Sequence, residues 1–154
     1  MPADDAAEQE PEKDSWGTVG FRAFGGVLAA EGSSYGLLGA GFLMGVPVWR
    51  SLELEGSVAW AGRFDSGGFV VTELMAKWVF ETDGKLAPHV TLGPLLSVDI
   101  DREATFAGGL VAGGGASWWL DRRWGLVADV NYRLLAGSVV EHVVTGALGV
   151  SYRF

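Results

Sequence analysis

The sequence contains no cysteine, which excludes disulfides, thiol nucleophiles and cysteine-ligated metal. Its two histidines, His89 and His142, are far apart and its carboxylates are scattered. They make no recognisable ligand set, so neither a metal nor a cofactor is expected. Lysine and arginine total 11 against 19 aspartates and glutamates, for a net charge of −8. Without a basic cluster, nucleic acid is not an expected partner. The first residues lack the basic region and apolar run of a secretory signal peptide, so an exported chain is expected to have had its signal removed. Helical periodicity is missing throughout. The longest uncharged run, Ala104 to Leu120, could in isolation be a short membrane helix. It barely reaches the roughly 20 residues a span needs, and Gly108, Gly109, Gly113, Gly114 and Gly115 lower its helix propensity, so it reads better as a strand ending at Trp118-Trp119.

What is present is apolar character spread thinly. Hydrophobic residues are 49% of the chain, mean hydropathy is +0.24, and 24 residues are glycine. At 154 residues the chain is one domain by length and could close a barrel of about eight strands, the smallest membrane type. Residues 1–15 are polar and acidic (Asp4, Asp5, Glu8, Glu10, Glu12, Asp14) with two prolines. They read as a disordered tail, which leaves 16–154 as the folded domain.

From Trp16 onward apolar and polar or small residues alternate, the period-2 mark of strands. Val19, Phe21, Ala23, Gly25 and Val27 oppose Thr18, Gly20, Arg22 and Gly26, up to a break at Glu31-Gly32-Ser33-Ser34. Leu38, Ala40, Phe42, Met44, Val46 and Val48 oppose Gly39, Gly41 and Gly45 in the stretch Tyr35 to Val48. Leu52, Leu54, Val58 and Trp60 oppose Glu53, Glu55, Ser57 and Ala59. After a turn-rich link from Arg63 to Gly68, Thr72, Leu74, Ala76, Trp78 and Phe80 oppose Glu73, Met75 and Lys77, which sets Lys77 near Glu55 for a cross-strand ion pair. Beyond the turn Glu81-Thr82-Asp83-Gly84, the stretch Leu86 to Ile100 turns His89, Thr91, Ser97 and Asp99 one way. Pro88 and Pro94 fall on its apolar side, where they would interrupt ladder bonds. Asp121-Arg122-Arg123 starts a strand with Trp124, Leu126, Val130 and Tyr132 against Val127, Asp129, Asn131 and Arg133, and Gly137-Ser138 links it to the closing strand, Val139 to Phe154.

That closing strand places Val140, Val144, Leu148, Val150, Tyr152 and Phe154 on one face and Glu141, Thr145, Ala147, Gly149, Ser151 and Arg153 on the other. An aromatic-x-aromatic end, about eight alternating strands and short links together resemble the OmpA/OmpX-like family of small outer-membrane barrels. The resemblance covers nearly the whole region from Trp16 and specifies architecture better than activity. It implies an all-β, eight-stranded antiparallel up-and-down transmembrane β-barrel in the bacterial outer membrane. In the family the terminal aromatic belongs to a signal read by the barrel-assembly machinery, a role that falls here on Tyr152 and Phe154. With both chain ends at the periplasmic rim, Trp16, Trp49, Trp78, Trp118, Trp124 and Tyr152 form an aromatic girdle. Trp119 falls at the same height, and Trp60, Tyr35, Phe64, Phe69 and Phe106 at the other. The chain departs from OmpA by ending at the barrel, and its outer links are short, which weakens adhesion through long loops.

In such a barrel the interior holds only side chains, so Arg22, Glu53, Glu55, Glu73, Lys77, Asp129, Arg133 and Glu141 are expected to pair and plug the lumen. A catalytic reading finds little: Ser97 stands too far along its strand from His89 for a hydrogen bond, and the orientation of Ser138 beside His142 is not fixed. The expectation is a non-enzymatic structural or protein-interaction element of the envelope, with membrane lipid as partner and an envelope protein as a further candidate. Two alternatives stay open: a narrow or gated pore in which Glu55, Lys77, Glu73 and Arg133 exchange partners, and a soluble lipocalin- or avidin-like barrel whose apolar face lines a ligand cavity.

Overall fold

The computed structural model describes residues 17–64, 67–80, 82, 84–100 and 105–154. The expectations for the acidic tail (1–15) and for Trp16 fall outside that set. Eight strands run in order: β1 (Thr18–Ala30), β2 (Ser33–Trp49), β3 (Leu52–Arg63), β4 (Gly68–Val79), β5 (Leu86–Asp99), β6 (Thr105–Trp119), β7 (Trp124–Ala136) and β8 (Val140–Arg153). Each pairs antiparallel with its sequence neighbours. β1 also pairs with β8, from Thr18↔Arg153 to Ala30↔Glu141, and closes the barrel. Gly17 and Phe154 exchange backbone hydrogen bonds at 3.2 and 3.3 Å, so both described chain ends share one rim.

Local chemistry sets the corners. β2 starts at Ser33, two residues before the alternation suggested, because Glu31 (φ 45°) and Gly32 (φ 80°) alone make the turn and the β1–β2 ladder runs out to Ala30↔Ser33. A two-residue turn with both central residues left-handed matches the twist of the strands it joins. In β5, Pro88 keeps its ladder place by accepting from Phe80 N at 2.8 Å. Pro94 has no amide to give, and pairing between β4 and β5 skips from Glu73↔Leu95 to Ala76↔Leu92, while β5 and β6 stay in register through Pro94↔Leu110. The stretch Ala104 to Leu120 forms no helix: β6 occupies it from Thr105 to Trp119.

The faces divide as the alternation requires. Phe42 and Leu148 are each 70% exposed and Val130 62%, whereas Glu55 is 0% and Lys77 6% exposed. A water-soluble barrel would invert those values, so the soluble alternative loses its basis. Strands of 12 to 17 residues, at about 3.3 Å per residue and tilted by roughly 40°, rise far enough to cross an apolar band of about 25 Å.

Candidate functional site

The candidate site is the lumen, and its contents change with height. Nearest the rim of the chain ends, Lys77 Nζ lies 3.5 Å from Glu53 Oε2 and 3.2 Å from Glu55 Oε2. Lys77 and Glu53 are register partners across β3 and β4, and Glu55 is the next inward residue of β3. Arg22, projecting from β1, approaches Glu55 Oε1 at 3.2 Å and Asp129 Oδ2 at 3.1 Å. The Asp129 Oδ1 atom lies 2.7 Å from His89 Nε2. These six groups form one continuous chain across β1, β3, β4, β5 and β7.

A second cluster lies above it. Arg133 Nε donates to Glu73 Oε1 at 2.5 Å and Arg133 Nη1 to Thr145 Oγ1 at 2.6 Å, while Ser57 Oγ donates to Glu73 Oε2 at 2.8 Å. The Arg133 guanidinium also stands 5.9 Å from the centre of the Phe24 ring. Glu55 and Lys77 therefore belong to one cluster and Glu73 and Arg133 to the other. Glu141, at the far end of β8, joins neither cluster among the described residues. Small residues make room for these long side chains. A Cβ on Gly115 would strike Asp129, and one on Gly149 would strike Arg22.

Towards the rim of the β1–β2 turn the lumen becomes apolar. Leu28, Leu37, Phe69, Val71, Leu95, Val111, Leu135 and Val143 pack with Ala61 and Met75 into an internal core, each no more than 5% exposed. Beyond it Arg63 meets Asp99 at 3.4 Å and lies 5.4 Å from the Phe69 ring centre. The aromatic expectations are corrected in part here. Tyr35 and Phe69 have the expected height but face inward, joining or packing against this core. Trp119 likewise turns inside, because β6 ends with two consecutive tryptophans and neighbouring residues take opposite faces; its ring stacks 3.4 Å from the Arg153 guanidinium. Trp49, Trp78, Trp118 and Trp124 are exposed on the outer wall, with Tyr152 edge-on to Trp124 at 5.0 Å.

Outside the wall, the Tyr132 hydroxyl and His142 Nδ1 lie 2.6 Å apart. The serines named beside the two histidines do not contact them: His89 takes Asp129, and His142 takes Tyr132. Among the described residues no group of three His, Asp or Glu side chains is arranged to hold a metal ion. In the β6–β7 turn, Asp121 accepts from the amides of Trp124 and Arg123, both at 2.7 Å. These bonds, that from Trp124 first, hold its carboxyl below the usual aspartate range. Sequence reasoning did not single out Ser57 and Thr145 as partners of the charges, although alternation puts both on the inner face.

No family model matches the sequence, and no curated protein sequence does. Solved structures do match in shape. Neisserial surface protein A superposes with a TM-score of 0.81 at 15% identity, over 91% of this chain and 98% of that one. The attachment invasion locus protein Ail of Yersinia pestis, in complex with a heparin analogue, gives 0.69 at 18% identity over 90% and 97%. The N-terminal barrel domain of Pseudomonas aeruginosa OprF gives 0.63 at 19% identity over 91% and 99%. At such identities the likeness is one of fold. The chain has the fold of the small eight-stranded outer-membrane barrels, the OmpA/OmpX-like architecture.

Proposed function

We propose that this chain is an integral protein of a bacterial outer membrane that serves as a structural or protein-interaction element of the envelope and conducts nothing. The observation that carries this reading is the filling of the lumen by two unlike layers, paired charges and then an apolar core, inside a wall whose outer face is apolar. A path for ions would have to cross Leu28, Leu37, Val111, Leu135 and Val143, each 2% exposed or less, where a bare ion meets no polar group. The narrow-pore alternative is the weaker reading for that reason.

Membrane lipid is the partner that the outer wall calls for, and the barrel-assembly machinery is the partner that the closing strand calls for, through Tyr152 and Phe154. Ail, among the structural neighbours, is named for attachment and invasion. Here the corresponding links are two, four, five and three residues long, too short to present much loop surface. A protein partner would therefore meet a rim or the wall. The reading includes no catalysis.

Two measurements on detergent-refolded protein test it. Unboiled and boiled samples are expected to migrate differently in SDS, as closed membrane barrels resist the detergent until heated, and planar bilayers containing the protein are expected to show no single-channel steps. A mobility independent of heating would remove the membrane-barrel reading; reproducible unitary steps would hand the function to the pore.

A further inference from the structure

The rim that carries both chain ends opens into a vestibule of about 620 Å³, a size typical of small-molecule sites. Thr18, Glu53, Trp119 and Arg153 line it and also a small void beneath it, so they form its floor. Three of these residues hold a buried polar atom that makes no hydrogen bond: Thr18 Oγ1, Trp119 Nε1 and Glu53 Oε2. Thr18 is 8% exposed as a whole. Lys77 approaches Glu53 Oε2 only to 3.5 Å because it lies closer to Glu55 Oε2, at 3.2 Å. Buried polar atoms left unmatched are costly, and here two donors and one acceptor are left so around one space.

The floor is also ordered by charge. Arg153, Thr18 and Gly45 are register partners across β8, β1 and β2, and Glu53 projects from β3 beyond them. The Arg153 guanidinium lies over the Trp119 ring, so a cation and an indole N–H share one end of the floor and a carboxylate holds the other. Gly45 leaves room between them: a Cβ there would stand 2.7 Å from Thr18 Oγ1 and 3.8 Å from Glu53 Oε2. Pro47, Val79 and Ala87 add apolar wall. A simple anion would leave Glu53 Oε2 unmatched, and a simple cation would leave the Trp119 N–H, which only donates. A molecule that carries both a carboxylate and an N–H cation matches all three atoms.

We propose that this vestibule is a binding site for a small zwitterion, an amino acid whose carboxylate and ammonium are joined by a short carbon chain. Its carboxylate accepts from Trp119 Nε1 and Thr18 Oγ1 and pairs with Arg153, a charge-assisted contact. Its ammonium donates to Glu53 Oε2, and its carbon chain lies over Gly45. The charge pairs and the apolar core close the lumen beyond the floor, so the ligand enters and leaves by the same rim, as in a receptor and not a pore. The inference needs the closed barrel but not its reading as a structural element.

The test reads the indole N–H signals of the full chain in nonionic detergent micelles, with Trp119 as the reporter at the floor. The probes are glycine, β-alanine and γ-aminobutyrate. They are set against acetate and methylammonium, which carry one end each, and trimethylglycine, which keeps both charges but has no N–H. At least one amino acid is expected to move the Trp119 signal to saturation at a concentration about tenfold or more below that needed by any control, the worth of one charge-assisted hydrogen bond. Trp118 and Trp124 on the outer wall and Trp60 at the opposite end are expected to stay in place. Glu53→Gln is expected to erase the preference for the amino acid over acetate, and Gly45→Ala to remove the response by filling the space over which the ligand lies. No saturable shift with any amino acid, a control as strong as the best of them, or a preference unchanged by Glu53→Gln would each overturn the proposal. Heat-dependent mobility in SDS is read on both variants, so a misfolded one is recognised, and the probe series on the unsubstituted chain decides without them.

Discussion

Glu31 carries the one positive φ of a non-glycine residue among those described, 45°, beside Gly32 at 80°. Glycine takes that conformation freely, whereas a glutamate there carries a steric penalty of about 1 kcal/mol that asparagine largely escapes. Glu31→Asn is expected to stabilise the barrel by about that amount, seen as a higher urea midpoint for unfolding from lipid vesicles with an unchanged slope. A lower midpoint would show that the Glu31 side chain makes a contact worth more than the backbone strain. The turn itself was legible in the sequence as a cluster of Gly and Ser, but its length was not. Four turn-forming residues are compatible with either two or four in the loop, and only the pairing of Ala30 with Ser33 decides. Asp121 was legible more fully, since an aspartate opening a turn has its own following amides as the nearest donors.

For whole strands, alternation settled which residues face lipid and which face inward in every strand but the uncharged β6, and in β1, β3, β4, β5, β7 and β8 it is held in place because one register slip would expose the charges of the strand to lipid. Pairing between strands was less legible. The glycines of β6 argued against a helix, yet their purpose appears only with the β6–β7 register, which sets Gly115 opposite Asp129. Gly115 is empty space for a carboxylate that must reach both His89 and Arg22. Gly115→Val is expected to displace Asp129, leave two buried cationic or polar groups without their acceptor, and destabilise the barrel by about 3 kcal/mol or more. Gly108 provides the comparison on the same strand. It faces outward, and an added Cβ there meets nothing within 4 Å, so Gly108→Val should change the midpoint little. Equal effects of the two substitutions would mean that β6 needs glycine for its backbone and not for its neighbours.

In the molecule as a whole, the lumen's charges and its apolar core divide the work of filling, and the two can be separated by substitution. Inward charges were legible from alternation, whereas their segregation from an apolar layer was not, because residues such as Leu28, Leu37 and Leu135 on inner faces look like breaks in the pattern until eight strands bring them to one height. Arg133 and Glu73 mark the border, with side chains 11% and 6% exposed. Arg133→Met alone leaves Glu73 buried with only the Ser57 hydroxyl, a change expected to cost about 3–5 kcal/mol, whereas Arg133→Met with Glu73→Leu replaces the pair by apolar contacts and should recover most of it. Unfolding midpoints of the two variants measure that difference. Their bilayer currents carry the functional consequence. If the charges alone closed the lumen, the destabilised single variant would open a steady current and the double variant a larger one. With the apolar core intact above them, both are expected to stay silent, because the layer that excludes ions is the one neither substitution touches.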